Sequence, residues 1–218
     1  MNNTLLFVAI LWAPCLMGQE VQVIDEKVDR IAASTEYEKG RSYLESGENR
    51  LALDRFTKAI ELFPYDANYY FGQAKAYSGL ALYTEAFGSI SEAMEQSPGQ
   101  VDFENTAGTI CFRLKKYEEA IQYFSTALNP TEINKGDIDR ANVFYNRGIS
   151  YLMLGQYALA EHDFGEAITR NNAFVQAYHN RGVALNRQHK YKEACKDFLK
   201  AVELGNESSF NYVKADCK

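Results

Sequence analysis

Small and apolar residues recur along this chain with a period of 34 residues. When the sequence is aligned in rows that begin at Ala33, Ala67, Val101, Ala141 and Val175, the same columns carry the same residue types. Column 8 holds Gly or Ala, columns 20 and 27 hold Ala, and column 24 holds Phe or Ile. Columns 20, 24 and 27 lie three or four residues apart, and column 8 lies three residues before column 11, which is mostly Tyr; this is the spacing of a buried helix face in two stretches of each row. Each row therefore predicts two helices joined by a short turn.

The arrangement of small and aromatic columns, often completed by Pro at column 32, resembles the tetratricopeptide repeat. The resemblance covers Ala33 to about Ser208, and its only break in phase is an insertion of six residues before Ala141. It implies an all-α, right-handed superhelical solenoid of five helix-turn-helix repeats, with a concave groove lined by the first helix of each repeat. Because a scaffold and not a reaction defines this family, the function has to be argued from the surface.

The repeat frame also predicts the segment boundaries. They are a signal peptide at 1–18, an N-terminal linker or capping segment at 19–32, repeats at 33–66, 67–100, 101–140 (with the inserted loop), 141–174 and 175–208, and a C-terminal cap at 209–218. The segment that contains the insertion, residues 129–137, carries Pro130 and Gly136. We favour a longer turn between helices for it, and a ligand-contacting loop or hinge is the alternative.

An apolar run of thirteen residues extends from Leu5 to Met17. It is too short to span a bilayer comfortably and is typical of the core of a secretory signal peptide, with cleavage near Gly18 and Gln19. This interpretation predicts an exported protein, periplasmic or secreted. One alternative is a buried first helix. Another is a lipid anchor at Cys15, although the residues before that cysteine match a lipoprotein signal poorly.

The net charge of −6, with Lys and Arg scattered among Asp and Glu, leaves no basic stripe for nucleic acid. We therefore expect a protein or peptide partner, no nucleic acid and no transmembrane segment after signal removal. The partner could belong to a membrane-associated complex.

Three cysteines follow the predicted signal peptide. Cys111 occupies column 11, where other rows place Tyr or Leu, and is expected to be a buried apolar residue. Cys195 occupies column 21, which faces the next stacked element, and that element is the tail that contains Cys217. In an oxidising compartment the two could form a disulfide. Two separate thiols are the alternative.

The sequence contains no set of residues with the spacing of a catalytic site. His162, His179 and His189 fall at columns 22, 5 and 15, which do not converge, and none has a cysteine or carboxylate partner at metal-ligand spacing. There is no glycine-rich phosphate loop and no nucleophile elbow. We expect no cofactor, no metal and no enzyme activity.

In the family that the chain resembles, ligands lie along first-helix columns 2, 5, 6, 9, 12 and 13. Asn146 and Asn180 share column 6, and each carboxamide could pair with both the N–H and the C=O of an extended peptide. The alternative is that these asparagines are common repeat residues exposed to water. The candidate groove residues are Asn105, Asn142, Tyr145, Asn146, Gln176, His179, Asn180, Asn186 and Arg187.

The same family includes a clamp for the C-terminal carboxylate of chaperone tails, and this sequence lacks it. The clamp positions in the last three repeats hold Asn105, Thr109, Asn146, Gln176 and Asn180, none of which is a cation. We therefore expect a non-catalytic protein-interaction module that binds a peptide or protein segment in its groove. The alternative is a structural subunit of a cell-envelope assembly that uses its convex face or edges.

Two arginine–aspartate combinations occur in the last two repeats alone. Arg147 and Arg181 hold column 7, and Asp163 and Asp197 hold column 23. Their co-occurrence predicts structural ion pairs between packed helices, although the spacing does not decide which arginine meets which aspartate.

Overall fold

The structure, a computed structural model, describes residues 8–128 and 139–217, with side chains from Lys27 onward except at 215 and 216. Over these residues the chain is helical and contains no strand, so the predicted all-α fold of paired helices is confirmed. The insertion at 129–137 lies outside the described residues. The helices are α1 Val8–Glu45, α2 Asn49–Leu62, α3 Ala67–Gly79, α4 Tyr83–Gln96, α5 Val101–Arg113, α6 Tyr117–Leu128, α7 Arg140–Met153, α8 Tyr157–Arg170, α9 Val175–Arg187, α10 Tyr191–Glu203 and α11 Ser209–Asp216.

The helices form two compact units, one ending at Ala81 and the other beginning at Leu82. In the first unit, α1, α2 and α3 pack against one another around Phe56, which is fully buried. Glu36 of α1 accepts hydrogen bonds from Lys39 and from Arg55 of α2, and these bonds hold the pKa of its carboxyl well below the ordinary value. Among described residues, no helix has the length and apolar content needed to cross a membrane.

In the second unit, α4 to α11 pack in sequence, and the first helix α7 also contacts the first helices on either side of it, α5 and α9. The interior is built from column 24, where Phe124, Phe164 and Phe198 are all 0% exposed. Alanines of columns 20 and 27 flank these rings and are also buried, so neighbouring backbones approach closely. Each helix pair buries its apolar face against the next pair, which no single pair could do alone.

Column 8 holds a small residue because it packs directly against the phenylalanine ring of column 24. A Cβ placed on Gly108 would lie 2.7 Å from a ring atom of Phe124, and one on Gly182 would lie 2.8 Å from Phe198. Real Cβ atoms do not approach so closely, and the fully buried rings have no room to retreat. The glycine therefore lets a first helix lie directly on the aromatic ring of the second.

The two arginine–aspartate combinations form ion pairs within their own repeats, which confirms the predicted pairing. Arg147 donates to Asp163 through Nε at 2.6 Å and Nη2 at 2.9 Å, and Arg181 donates to Asp197 at 2.7 and 2.8 Å. Arg147 also reaches the preceding repeat, where its Nη1 donates to the Ser125 hydroxyl at 3.0 Å. These forked contacts fix the relative rotation of the paired helices.

Candidate functional site

The candidate site is the face of α5, α7 and α9 that carries columns 2, 5, 6, 9, 12 and 13, called the groove face below. A cavity of about 220 Å³, called pocket A, lies on this face between α5, α6 and α7. It is lined by Thr109, Phe112, Arg113, Phe124, Tyr145, Asn146 and Ile149.

Pocket A has aromatic and aliphatic walls. Phe124, from the second helix of the third repeat, is fully buried, and Phe112 packs its ring 5.6 Å from that of Tyr117. Tyr145 is held between Phe164 and Phe174, at ring distances of 5.8 and 4.8 Å. Contacts within the chain therefore fix the position of the rings that line the pocket.

Polar groups of the groove face retain unused hydrogen-bonding capacity. The Asn146 carboxamide is half-buried and makes no side-chain hydrogen bond with any residue that the structure describes. On α5, the Asn105 Oδ1 atom is buried and has no hydrogen-bond partner among the described residues, while the Thr109 hydroxyl donates to the Asn105 carbonyl at 3.0 Å. Asn146, which is only half-buried, keeps both a donor and an acceptor within reach of a second molecule.

The side chains of Asn146 and Asn180 have different surroundings, although both residues occupy column 6. The Asn180 Nδ2 donates to the Tyr145 hydroxyl at 3.0 Å, which joins α9 to α7. Burial raises the pKa of Tyr145, and the hydrogen bond from Asn180 opposes that rise. One carboxamide therefore helps to hold neighbouring repeats together, and the other is left for a ligand.

The column 2 residues lie at the exposed edge of the groove face. Asn142 and Gln176 both occupy the first turn of their helix and are exposed. The Asn142 Nδ2 donates to Asp139 Oδ2 at 2.6 Å, and the same aspartate accepts from two backbone N–H groups and caps α7. Asn142 therefore supports the start of the helix, and Gln176 extends into solvent.

A second cavity of about 460 Å³, called pocket B, lies at the C-terminal end of the chain. It brings together Asn186 and Arg187, which the sequence predicted, with an aromatic set that it did not. The His189 Nδ1 lies 2.7 Å from the Tyr191 hydroxyl. The remaining lining residues are Tyr157, Val183, His189, Tyr191 and Tyr212.

The tyrosines of pocket B show what the sequence reasoning missed. Tyr157 and Tyr191 both occupy column 17, immediately after the turn inside each repeat, and the sequence already contained that signal. Tyr212 could not have been placed from the repeat frame, because it lies on α11 beyond the last repeat.

His179 requires a correction to the predicted groove. Its Nδ1 lies 2.8 Å from the buried Ser209 hydroxyl, and its ring packs edge-on against Tyr212 at 5.6 Å. Burial lowers its pKa, which favours the neutral imidazole. His179 is thus engaged by the C-terminal helix and does not offer that nitrogen to a ligand.

The C-terminal helix is attached to the last repeat by aromatic stacking and by a bond between two cysteine sulfurs. Tyr212 stacks on Phe198 with ring centroids 4.6 Å apart. The Cα atoms of Cys195 and Cys217 are 5.5 Å apart and their sulfurs are joined, at a spacing that suits a disulfide. Cys111 is fully buried, as predicted, and burial raises the pKa of its thiol to about 11.

No group of three or more His, Cys, Asp or Glu side chains suited to a metal ion occurs within 8–128 and 139–217. The side chain of His162 lies on the surface of α8 and is 67% exposed, whereas His179 is half-buried beneath α11.

Sequence profiles of the tetratricopeptide repeat family match residues 37–101 and 145–209, and a second profile of the same family matches residues 102–173. The matches span most of the helices described above. The chain therefore belongs to the tetratricopeptide repeat family.

Two curated relatives indicate how this repeat array compares with larger proteins. The chain is 25% identical over 214 residues to the Hsp70-Hsp90 organizing protein of Triticum aestivum, covering 84% of this chain and 37% of that protein. It is 36% identical over 88 residues to the mitochondrial import receptor subunit TOM70 of Rattus norvegicus, covering 38% of this chain and 14% of that protein. The chain thus spans well under half the length of these relatives.

Solved structures share the fold. YrrB, a TPR protein described as having an unusual peptide-binding site, superposes with a TM-score of 0.71 at 19% identity, over 89% of this chain and 96% of its own. MamA superposes with a TM-score of 0.68 at 20% identity, over 78% of this chain and 96% of its own.

Proposed function

We propose that this chain is a non-catalytic interaction module that binds an extended peptide segment on the groove face of its second unit. The observation that carries the proposal is pocket A, an apolar cavity beside a carboxamide with no side-chain partner among described residues, that of Asn146. The segment would place one bulky side chain in the pocket and its main chain against Asn146. YrrB, which shares the fold, is described as a TPR protein with a peptide-binding site, in line with this proposal.

The size of pocket A fits one side chain. A volume of about 220 Å³ corresponds to roughly seven water molecules at about 30 Å³ each. That space accommodates a leucine- or phenylalanine-sized group but not a folded element. The apolar walls favour burial of such a group, and the carboxamide of Asn146 would orient the peptide by hydrogen bonds to its main chain.

Site-specific photocrosslinking in the native source tests this proposal. A photoreactive phenylalanine derivative replaces Ile149 in the wall of pocket A, and in a matched control it replaces Leu159 on α8, which is 49% exposed. We expect one defined crosslinked partner from position 149 and none of that partner from position 159. Crosslinking of the same partner from 159 alone would place binding on another surface, as in a structural subunit of an envelope assembly.

The second part of the proposal is that the protein is exported to the periplasm or secreted. It rests on the apolar run Leu5 to Met17 and on the short distance between Cys195 and Cys217. That distance suits a disulfide, and disulfides persist in oxidising compartments. Intact-mass measurement of the natively produced protein tests it. We expect a mature chain that begins near Gln19; a mass that includes residues 1–18 would exclude cleavage, and an added lipid mass at Cys15 would indicate the anchor.

A further inference from the structure

Both pockets of the groove face carry an arginine without an ion-pair partner. Arg113 and Arg187 occupy column 13 of the third and fifth repeats, each is the last residue of its helix, and both are exposed. Neither forms an ion pair with any described residue of the chain. Arg113 lines pocket A and Arg187 lines pocket B.

Three other arginines of the second unit are neutralised by carboxylates. Arg147 and Arg181 are paired with buried aspartates, and Arg170 is paired with Glu166 one turn away. A large surface depression between α8 and α10 holds acidic and basic side chains together, including Glu161 paired with Lys190. Pockets A and B differ because no acidic residue lines either of them. Arg140 also lacks an ion pair among described residues, but it lines neither pocket.

Acidic residues on the same helix are too distant to neutralise Arg113. Asp102 and Glu104 lie at the N-terminal end of α5, nine or more residues from Arg113. At about 1.5 Å per residue this places them at least about 13 Å away along the axis, beyond the Debye length of about 8 Å at physiological salt. No carboxylate stands beside Arg113 or Arg187 among the described residues that line pockets A and B.

We infer that the segment bound on the groove face is acidic: it carries carboxylates that pair with Arg113 and Arg187, beside the bulky side chain in pocket A. This inference rests on the proposed function. A guanidinium presents paired N–H donors that match a carboxylate, and neither arginine uses them in an ion pair with a described residue.

Synthetic peptide libraries of about ten residues test the inference with the whole mature chain. Each peptide has one central Phe, Tyr or Leu, flanked by Asp and Glu, by Asn and Gln, or by Lys, with both ends blocked. A further Asn and Gln library keeps a free C-terminal carboxylate, which separates side-chain from terminal acids. The chain variants are Arg113→Gln, Arg187→Gln, the double variant, and Lys192→Gln as a control for loss of charge at an exposed residue outside both pockets.

We expect the unaltered chain to retain the acidic library about tenfold more than the neutral blocked one, and raised salt to reduce the difference. The double variant should retain the two libraries equally, while Lys192→Gln behaves like the parent. If the Asn and Gln library with a free C-terminal carboxylate is retained as strongly as the acidic library, the carboxylate that pairs with the arginines is supplied by the end of the segment. Equal retention of acidic and neutral blocked libraries by the unaltered chain would overturn the inference and leave peptide binding intact. Retention of no library would count against the proposed function and this inference together.

Discussion

Asn180 of the fifth repeat donates its side-chain N–H to the Tyr145 hydroxyl of the fourth repeat, at 3.0 Å. This contact crosses the groove face and joins α9 to α7. Tyr145 is in turn a wall of pocket A, so the hydrogen bond orients a binding surface as well as joining two repeats.

Replacing Tyr145 by Phe should destabilise the chain modestly. The variant keeps the ring between Phe164 and Phe174 but leaves Asn180 without its acceptor, and a hydrogen bond of this kind contributes about 1 kcal/mol. Urea unfolding followed by circular dichroism measures the change. Tyr151→Phe is the control, and we expect it to leave the free energy of unfolding within about 0.5 kcal/mol of the parent. An equal effect of both variants would contradict the role given to the bond.

Two glycines of the fourth repeat should respond to alanine in opposite directions. A Cβ at Gly148 would lie 2.8 Å from the buried Phe164 ring, so Gly148→Ala should destabilise the chain by about 1–3 kcal/mol. At Gly165 the nearest atom is Arg181 Nη1 at 3.7 Å, an ordinary contact. Gly165→Ala should therefore stabilise α8 by about 0.5–1 kcal/mol through helix propensity. Thermal unfolding of both variants checks the sign, and a shift in the same direction would be inconsistent with the packing described.

Acidification should weaken the attachment of the C-terminal helix through His179. Burial lowers its folded-state pKa below the ordinary value of 6.5, so as the pH falls the unfolded chain takes up this proton first. The contribution of the neutral ring is complete above about pH 6.5 and is lost as the pH falls toward the lowered pKa. The measurement is the free energy of unfolding between about pH 7.5 and pH 5.5. His179→Gln should show a shallower pH dependence than the parent, and an equal pH dependence of the two proteins would contradict this contribution.

The pair Cys195 and Cys217 should be oxidised in protein from its native compartment. Peptide mapping without reduction should find the two cysteines in one crosslinked peptide. The bond closes a loop of sequence separation 22, and on the chain-entropy account it contributes about 3 kcal/mol. Reductant should therefore increase hydrogen exchange in α11 while leaving α5 and α6 unchanged. Alkylation of both thiols before any reduction would exclude the disulfide.

The sequence predicted the helices well because residues in the same column make the same packing contact in each repeat. Column 24 fills the interior and column 8 lies against it, so the period alone locates Phe164 opposite Gly148. The turn inside each repeat was equally regular: column 15 has positive φ in every repeat, at glycine in Gly155 and at a larger residue in Lys115 and His189.

The details of the candidate site could be predicted only in part. The repeat frame placed Tyr145, Asn146 and Arg187 on the groove face, but it could not show that Asn180 would bond to a neighbouring tyrosine. Nor could it show that His179 would be covered, because α11 lies outside the repeat and follows no column. The sequence pattern specifies what each repeat does in common, and contacts made by single residues have to be read from the structure.

The central claim, that the groove face binds a peptide segment, is tested most directly by calorimetry with the segment that crosslinks to position 149. The Asn146→Ala variant removes the carboxamide that is proposed to pair with the peptide main chain, and Gln122→Ala removes an exposed carboxamide on α6 as a control. Each hydrogen bond contributes about 0.5–1.5 kcal/mol and one carboxamide can form two, so Asn146→Ala should bind about tenfold more weakly, and the control should match the parent. Unchanged affinity of folded Asn146→Ala would contradict the account and move the binding site away from the groove face.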